Sequence, residues 1–299
     1  MEKVYEGNLV EIFKVTDRLY FRRANLPIRW QCNGAFIVGD AGVAVVDAPP
    51  EGIEIADEVQ KLFGKPITAL ILTHGHGDHT AGLSGFFESD FAGGLTVYSS
   101  RRFLETLALS EHKYRPNFVG IDGKLELSLS GGVEIELFTP PDPMHSKWDM
   151  FVRIPGPEIL CTGDAVVEYQ TAYFHSADIR SWISNLRLLS QRGLKQVLAG
   201  HGPELFPWSY INDFADFLSA VERAARECLK RYNPAPDLTE KQRFADVAAG
   251  EIRDLVAAYF AENGAGGTDV HYIEERAGKD DARREVRMVL WEFVREFIR

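Results

Sequence analysis

Residues 67–79 read Ile67-Thr68-Ala69-Leu70-Ile71-Leu72-Thr73-His74-Gly75-His76-Gly77-Asp78-His79. The opening run is apolar, β-branched and leucine-rich, the pattern of a short buried strand. The last six positions then pack three imidazoles and a carboxylate into the end of that strand. Neutral imidazole and carboxylate suit zinc, iron or manganese. Side chains alternate across a strand, and Gly75 and Gly77 give the backbone freedom to turn and gather them. Four ligand-type side chains this close crowd any single ion. The spacing favours a site shared by two metals, with His74 and His76 on one and Asp78 and His79 on the other. The competing reading is a polar loop of solvent-facing histidines. Three of the chain's eight histidines fall inside these six residues, which tells against it.

On either side of this stretch the pattern mixes strands and helices. Residues 9–22 are β-rich, and 35–38 and 43–46 flank the turn Gly39-Asp40-Ala41-Gly42 as a hairpin. A helix is expected from Glu51 to Phe63, opened by Pro50 and closed by Gly64 and Pro66. Downstream come a strand at 95–98, a helix from Arg101 to about Ser110, and two period-2 runs at 125–129 and 133–137. Further strands are expected at 150–154, 158–161 and 197–199. A helix over 179–191 carries Trp182, Leu186 and Leu189 on one face. From Ser209 on, β character vanishes. Ile211, Phe214, Phe217, Leu218, Val221 and Leu229 form one helical stripe, and residues 286–298 carry another. The chain is therefore read as a catalytic domain over 1–208 and a helical C-terminal region over 209–299. The stripes read first as packing against the main domain; the functional alternative is a roof over the site or a homodimer contact.

Composition narrows the partners. With 45% hydrophobic and 26% charged residues the chain reads as an ordinary globular protein. A net charge of -11 repels phosphate backbones and anionic lipid, so neither nucleic acid nor a membrane is expected as partner. No stretch approaches a transmembrane helix, and the N-terminus lacks the apolar core of a signal peptide. Cys32, Cys161 and Cys228 are scattered and odd in number, as expected of reduced thiols in a cytoplasmic protein.

Three more candidate ligands each follow an expected strand: His145, Asp164 and His201. A single His or Asp after a turn is weak on its own, but this order of strand ends is specific as a set. It resembles the metallo-β-lactamase-fold hydrolase superfamily, whose His-x-His-x-Asp-His motif stands here as His74, His76, Asp78 and His79. The later His, Gly-Asp and Gly-His-Gly elements match His145, Asp164 and His201. The resemblance covers roughly residues 9–208. It implies an α+β fold, a four-layer αββα sandwich, here with a helical extension. It also implies His74, His76 and His145 on one metal, Asp78, His79 and His201 on the other, and Asp164 between them. Two divalent ions follow, zinc first and iron or manganese as alternatives. A bridging hydroxide would be the nucleophile, and Asp78 would orient it.

The substrate is expected to be a small molecule. In the true β-lactamases of this fold, as the resemblance has it, the Asp164 position is not an aspartate, so the chain looks closer to the glyoxalase II and lactonase branch. It departs from the lactonases, which have a Tyr where Val167 stands. The expected reaction is hydrolysis of a carboxylic ester, lactone or thioester. Phosphodiester hydrolysis and an iron-dependent sulfur dioxygenase are the alternatives. Trp30, Trp148, Tyr169, Tyr173 and His175 lie in loops next to the ligands and are candidates for an apolar pocket wall.

Overall fold

The computed structural model describes residues 1–232, apart from 8, 25–31, 51, 89–93, 108–116, 168–176 and 203, and not the side chains of 53, 224, 225 and 227–232. One sheet has eight strands in sequence order. They are β1 (Glu2–Glu6), β2 (Val10–Lys14), β3 (Leu19–Ala24), β4 (Gly34–Val38), β5 (Val43–Val46), β6 (Ile67–Ile71), β7 (Thr96–Ser100) and β8 (Phe118–Ile121). The first five pair antiparallel and the last four pair parallel. Parallel neighbours need crossovers. These hold α1 (Gly52–Phe63), then α2 (Gly77–Thr80) and α3 (Leu83–Glu88), then α4 (Arg101–Thr106).

The second sheet has six strands. In chain order they are β9 (Lys124–Leu129), β10 (Val133–Phe138), β11 (Phe151–Ile154), β12 (Ile159–Gly163), β13 (Gln196–Ala199) and β14 (Phe206–Pro207). Its one parallel pair, β12 with β13, is bridged by α5 (Ile179–Ser190). Strands β10, β12 and β13 all point the same way, so their carboxyl ends share one edge.

Burial on both faces explains why the strands read as near-continuous apolar runs. In β4, Ala35 and Ile37 face the second sheet, where they meet Leu137, Val152 and Cys161. Phe36 and Val38 face outward into a core cluster that also holds Ile55 and Val59 of α1 and Phe103 of α4. Beyond the second sheet, Trp182 and Leu186 of α5 pack with Ile211, Phe214, Leu218 and Val221 of α6 (Tyr210–Tyr232). The layers are helices, sheet, sheet, helices, as the sequence led us to expect. From Ile211 to Val221 the first stripe is core packing on α5; the Leu229 side chain and the stripe at 286–298 lie outside what the structure describes.

The elements differ from expectation in several places. The sequence marks neither the short helices α2 and α3 nor the strands β8 and β14. Strand β1 is almost wholly exposed and charged, so no apolar period marks it; it is held as an edge strand by pairing with β2. Helix α4 stops at Thr106, because Leu107 has an extended backbone (ψ 131°).

Candidate metal centre

Every candidate ligand stands at the carboxyl end of a strand, the edge where open α/β sheets place their ligands. His74 follows β6. His76 occupies the N-cap position of α2 with an extended backbone and makes no side-chain cap, which leaves its ring for the site. Asp78 and His79 lie in α2 itself. His145 comes from the loop after β10, Asp164 follows β12, and His201 follows β13. Gly75 and Gly77 do not act as hinges, since neither has a positive φ. Gly75 is glycine for space: a Cβ there would lie 2.5 Å from the Phe103 ring and 2.9 Å from Trp148.

The donors form two groups that share Asp164: His74, His76, His145 and Asp164, then Asp78, His79, His201 and Asp164. Within each group the donor atoms lie within 4.8 Å of one another. In the first, His76 Nδ1 is 3.0 Å from His74 Nε2 and 2.9 Å from His145 Nε2. Asp164 Oδ2 is 3.7 Å from His145 Nε2 and 4.0 Å from His74 Nε2. In the second, His201 Nε2 is 3.1 Å from Asp78 Oδ2 and 3.4 Å from Asp164 Oδ2. His79 Nε2 is 3.1 Å from Asp164 Oδ1 and 3.5 Å from Asp78 Oδ2.

These contacts do not close as a hydrogen-bond network. One ring nitrogen carries either one proton or one in-plane lone pair, so His76 Nδ1 cannot satisfy both neighbouring imidazoles. His79 Nε2 and Asp164 Oδ1 are buried, and although 3.1 Å apart they are not aligned to bond, so neither has a hydrogen-bond partner among the described residues. Buried polar atoms are rarely left this way. Donors about 2.0–2.2 Å from a zinc ion in tetrahedral array lie about 3.3 Å from each other, close to the separations here. The residues fit a pair of divalent ions.

The protonation states agree in part. Burial holds the His74 ring well below the usual histidine range, and the neighbouring rings reinforce it. Burial likewise pushes His145 down to about 3, leaving a neutral ring with a lone pair to give. His201 is the opposite case: burial would lower it, but Asp164 and Asp78 outweigh that and push it up to about 10. A ligand role for His201 therefore requires that its proton leave.

Asp47, for which the sequence offered no role, supports both groups from behind. It is 1% exposed and sits at the end of β5 with a positive φ of 63°. Its Oδ2 accepts from His79 Nδ1 at 2.8 Å, and its Oδ1 accepts from the Thr73 amide at 2.7 Å. The Thr73 hydroxyl lies 3.0 and 2.9 Å from the two carboxylate oxygens and 3.2 Å from His74 Nδ1. A carboxylate only accepts, so His79 carries a proton on Nδ1. Burial would lower its pKa, but Cys32, Asp164, Asp78 and Asp47 outweigh that and hold it well above the usual histidine range. As with His201, Nε2 must therefore lose its proton before it can ligate. If Thr73 donates to Asp47, its oxygen accepts from His74 Nδ1 and frees His74 Nε2 for the site. The visible signal was a lone acid closing the run Val43–Val46. A third group, Cys32, Asp47 and His79, is also close together. The buried Arg22 guanidinium is 3.8 Å from Cys32 Sγ, and that fixed positive charge opposes a cation there.

Of the proposed pocket residues, Trp148 is partly buried with its ring edge-on to His76 at 6.3 Å and against Phe103 at 5.9 Å. Its carbonyl accepts from Ser100 Oγ at 2.7 Å. It therefore packs the His76 side of the site. Trp30, Tyr169, Tyr173 and His175 lie outside the described residues. A groove of about 540 Å³ runs behind the His145 loop, lined in part by Arg101, Arg102, Ser146, Lys147 and Asp149, and holds none of the donors.

A family model described as the metallo-beta-lactamase superfamily matches residues 27–201. The chain belongs to the metallo-beta-lactamase superfamily. Superfamily members are typically metal-dependent hydrolases, and the donor cluster lies where this chain's two sheets meet. The type 2 metallo-beta-lactamase of Elizabethkingia meningoseptica is 23% identical over 203 residues, 64% of this chain and 78% of that protein. Among solved structures, a metallo-beta-lactamase from Pontibacter korlensis superposes with a TM-score of 0.61 at 20% identity, covering 70% of this chain and 99% of that one. VMB-1 gives 0.61 at 17% identity, covering 73% and 100%. At these identities the structural likeness shows the metallo-beta-lactamase fold. No described helix is long and apolar enough to cross a membrane.

Proposed function

We propose that the protein is a two-metal hydrolase, zinc-dependent in the first place, that cleaves a carboxylic ester, lactone or thioester in a small molecule. The observation that carries this reading is Asp164, whose one carboxylate belongs to both donor groups. When bound, a pair of divalent ions would act as Lewis acid and lower the pKa of a water toward neutrality.

The chain's own residues supply the rest. Asp164 holds the two positions together and offsets their mutual repulsion. Asp47 and Thr73 fix the rings of His79 and His74. Among the described residues Asp78 meets His79 and His201 through Oδ2, which leaves Oδ1 to orient a water and take up its proton. Three cations near the ligands in sequence are relevant to the phosphodiester alternative. Arg180 is engaged by Glu222 at 3.1 Å, Lys147 lines the groove behind the His145 loop, and Arg29 is outside the described residues. Among the described residues, neither Arg180 nor Lys147 supports a phosphoryl clamp at the donors. Buried free thiols at Cys32 and Cys161 support a cytoplasmic setting.

The names of the relatives raise a second reading, β-lactam hydrolysis. Asp164 is what tells against it and for the glyoxalase II and lactonase branch. The test is a screen of metal-loaded protein against lactones, thioesters, phosphodiesters and a β-lactam, with Asp78→Asn alongside. Turnover of a lactone or thioester, lost in Asp78→Asn beyond any loss of metal, is the expected result. Turnover of the β-lactam or phosphodiester alone would refute the assignment, and unchanged turnover in Asp78→Asn would refute the proton-handling role.

A further inference from the structure

The ligand rings are held in two different ways. His74 and His79 are fixed through their second nitrogen, by Thr73 and Asp47. His145 and His201 are not. Among the described residues His145 Nδ1 is buried with no hydrogen-bond partner, and the ring bond of His201 is made by Nε2, toward the site. Both sit on loops beyond β10 and β13, away from the β6–α2 segment. A ligand must be held to within about half an ångström to bind well, so something else must fix these two.

In each case a single buried side chain bonds the backbone on both sides of the histidine. Asp149 is 5% exposed. Its Oδ2 accepts from the Met144 amide at 3.2 Å and the Ser146 amide at 2.9 Å, and its Oδ1 accepts from Ser146 Oγ at 2.8 Å. Asn33 is 3% exposed. Its amide donates to Gly200 O at 2.7 Å, and its Nδ2 donates to Gly202 O at 2.9 Å and Ala199 O at 3.3 Å. Its Oδ1 accepts from the Ala24 amide at 3.1 Å, which anchors the His201 loop to the opposite sheet. Removing such a side chain leaves several buried backbone groups unpaired, and the loop relaxes to satisfy them.

We propose that Asn33 and Asp149 are paired positioning residues, each fixing one loop histidine and thereby setting the occupancy of one metal position independently of the other. The proposal rests on the two-position reading above. It follows from the geometry that His145 belongs only to the first donor group and His201 only to the second. A merely structural role would weaken both positions alike.

The test measures zinc affinity of the metal-free full-length chain by competition with a chromophoric chelator. His201→Ala leaves the first position intact and His145→Ala leaves the second. Asp149→Ala is expected to weaken zinc on the order of tenfold in the His201→Ala background and to change nothing in the His145→Ala background. Asn33→Ala is expected to do the reverse. Asp149→Asn should stay near the parent, because its oxygen can keep both backbone bonds while its amide donates to Ser146 Oγ. Should Asp149→Ala not fold, Ser146→Ala removes the Oδ1 bond and should show the same background dependence. Equal weakening in both backgrounds, no weakening in either, or an Asp149→Asn as weak as Asp149→Ala would overturn the proposal. A parent chain that binds no zinc in either background would instead overturn the two-position reading, and the proposal with it.

Discussion

Asp47→Asn is the smallest change that should damage both metal positions. The substitution keeps the shape of the side chain and removes its charge. Asparagine tolerates a positive φ, so the 63° backbone of Asp47 adds no new strain, whereas alanine there would. The amide, however, has only one oxygen. Asp47 accepts from the Thr73 amide on Oδ1 and from His79 Nδ1 on Oδ2, so in the variant an NH₂ must face one of two donors. Loss of a hydrogen bond to a charged group costs about 1.5–3 kcal/mol. Loss of a carboxylate behind a ligating histidine typically weakens metal binding about 10–100-fold, or about 1.4–2.7 kcal/mol. The two routes agree. Chelator competition on the variant, with circular dichroism to confirm folding, should therefore show a 10–100-fold fall in zinc affinity. Affinity within twofold of the parent would refute the role assigned to Asp47.

Two further outcomes test the surroundings. In Gly200→Ala a Cβ would stand 2.0 Å from Asp164 Oδ1 and 2.8 Å from the Gly163 carbonyl carbon, so the shared carboxylate must shift; metal content after dialysis should fall while the protein stays folded. Glu136 is mostly buried and meets Arg153 at 3.0 Å, Lys124 at 3.3 Å and Arg192 at 3.3 Å. Burial raises its pKa, but Arg153 and Lys124 outweigh it and hold the carboxyl below its usual range. Its stabilisation is thus present above the unfolded pKa and lost as pH falls through the folded one. Glu136→Gln should cost about 1–3 kcal/mol at pH 7, with the gap to the parent closing under acid in urea melts.

The candidate donors could be picked out because their chemistry is local: His74, His76, Asp78, His79, His145, Asp164 and His201 each follow a strand that its own apolar run announces. The α6 stripe was legible for a similar reason, since period 3.6 survives in sequence. Asp47, Asn33 and Asp149 were not. Each is one polar residue whose meaning comes from partners brought near by the fold; Asn33 reaches residues more than 160 positions away. Gly75 shows the complementary failure. The sequence suggested backbone freedom, while the structure shows crowding by Phe103 and Trp148, neither of which is near it in a repeating pattern. Strand β1 was hidden because an exposed edge strand needs no apolar face.

The most direct measurement is the metal content of protein purified without added metal or chelator. Two donor groups sharing Asp164 predict about two equivalents of zinc or manganese per chain. A single iron per chain would contradict the two-metal hydrolase and bring the sulfur dioxygenase forward, with oxygen uptake on a persulfide as its assay.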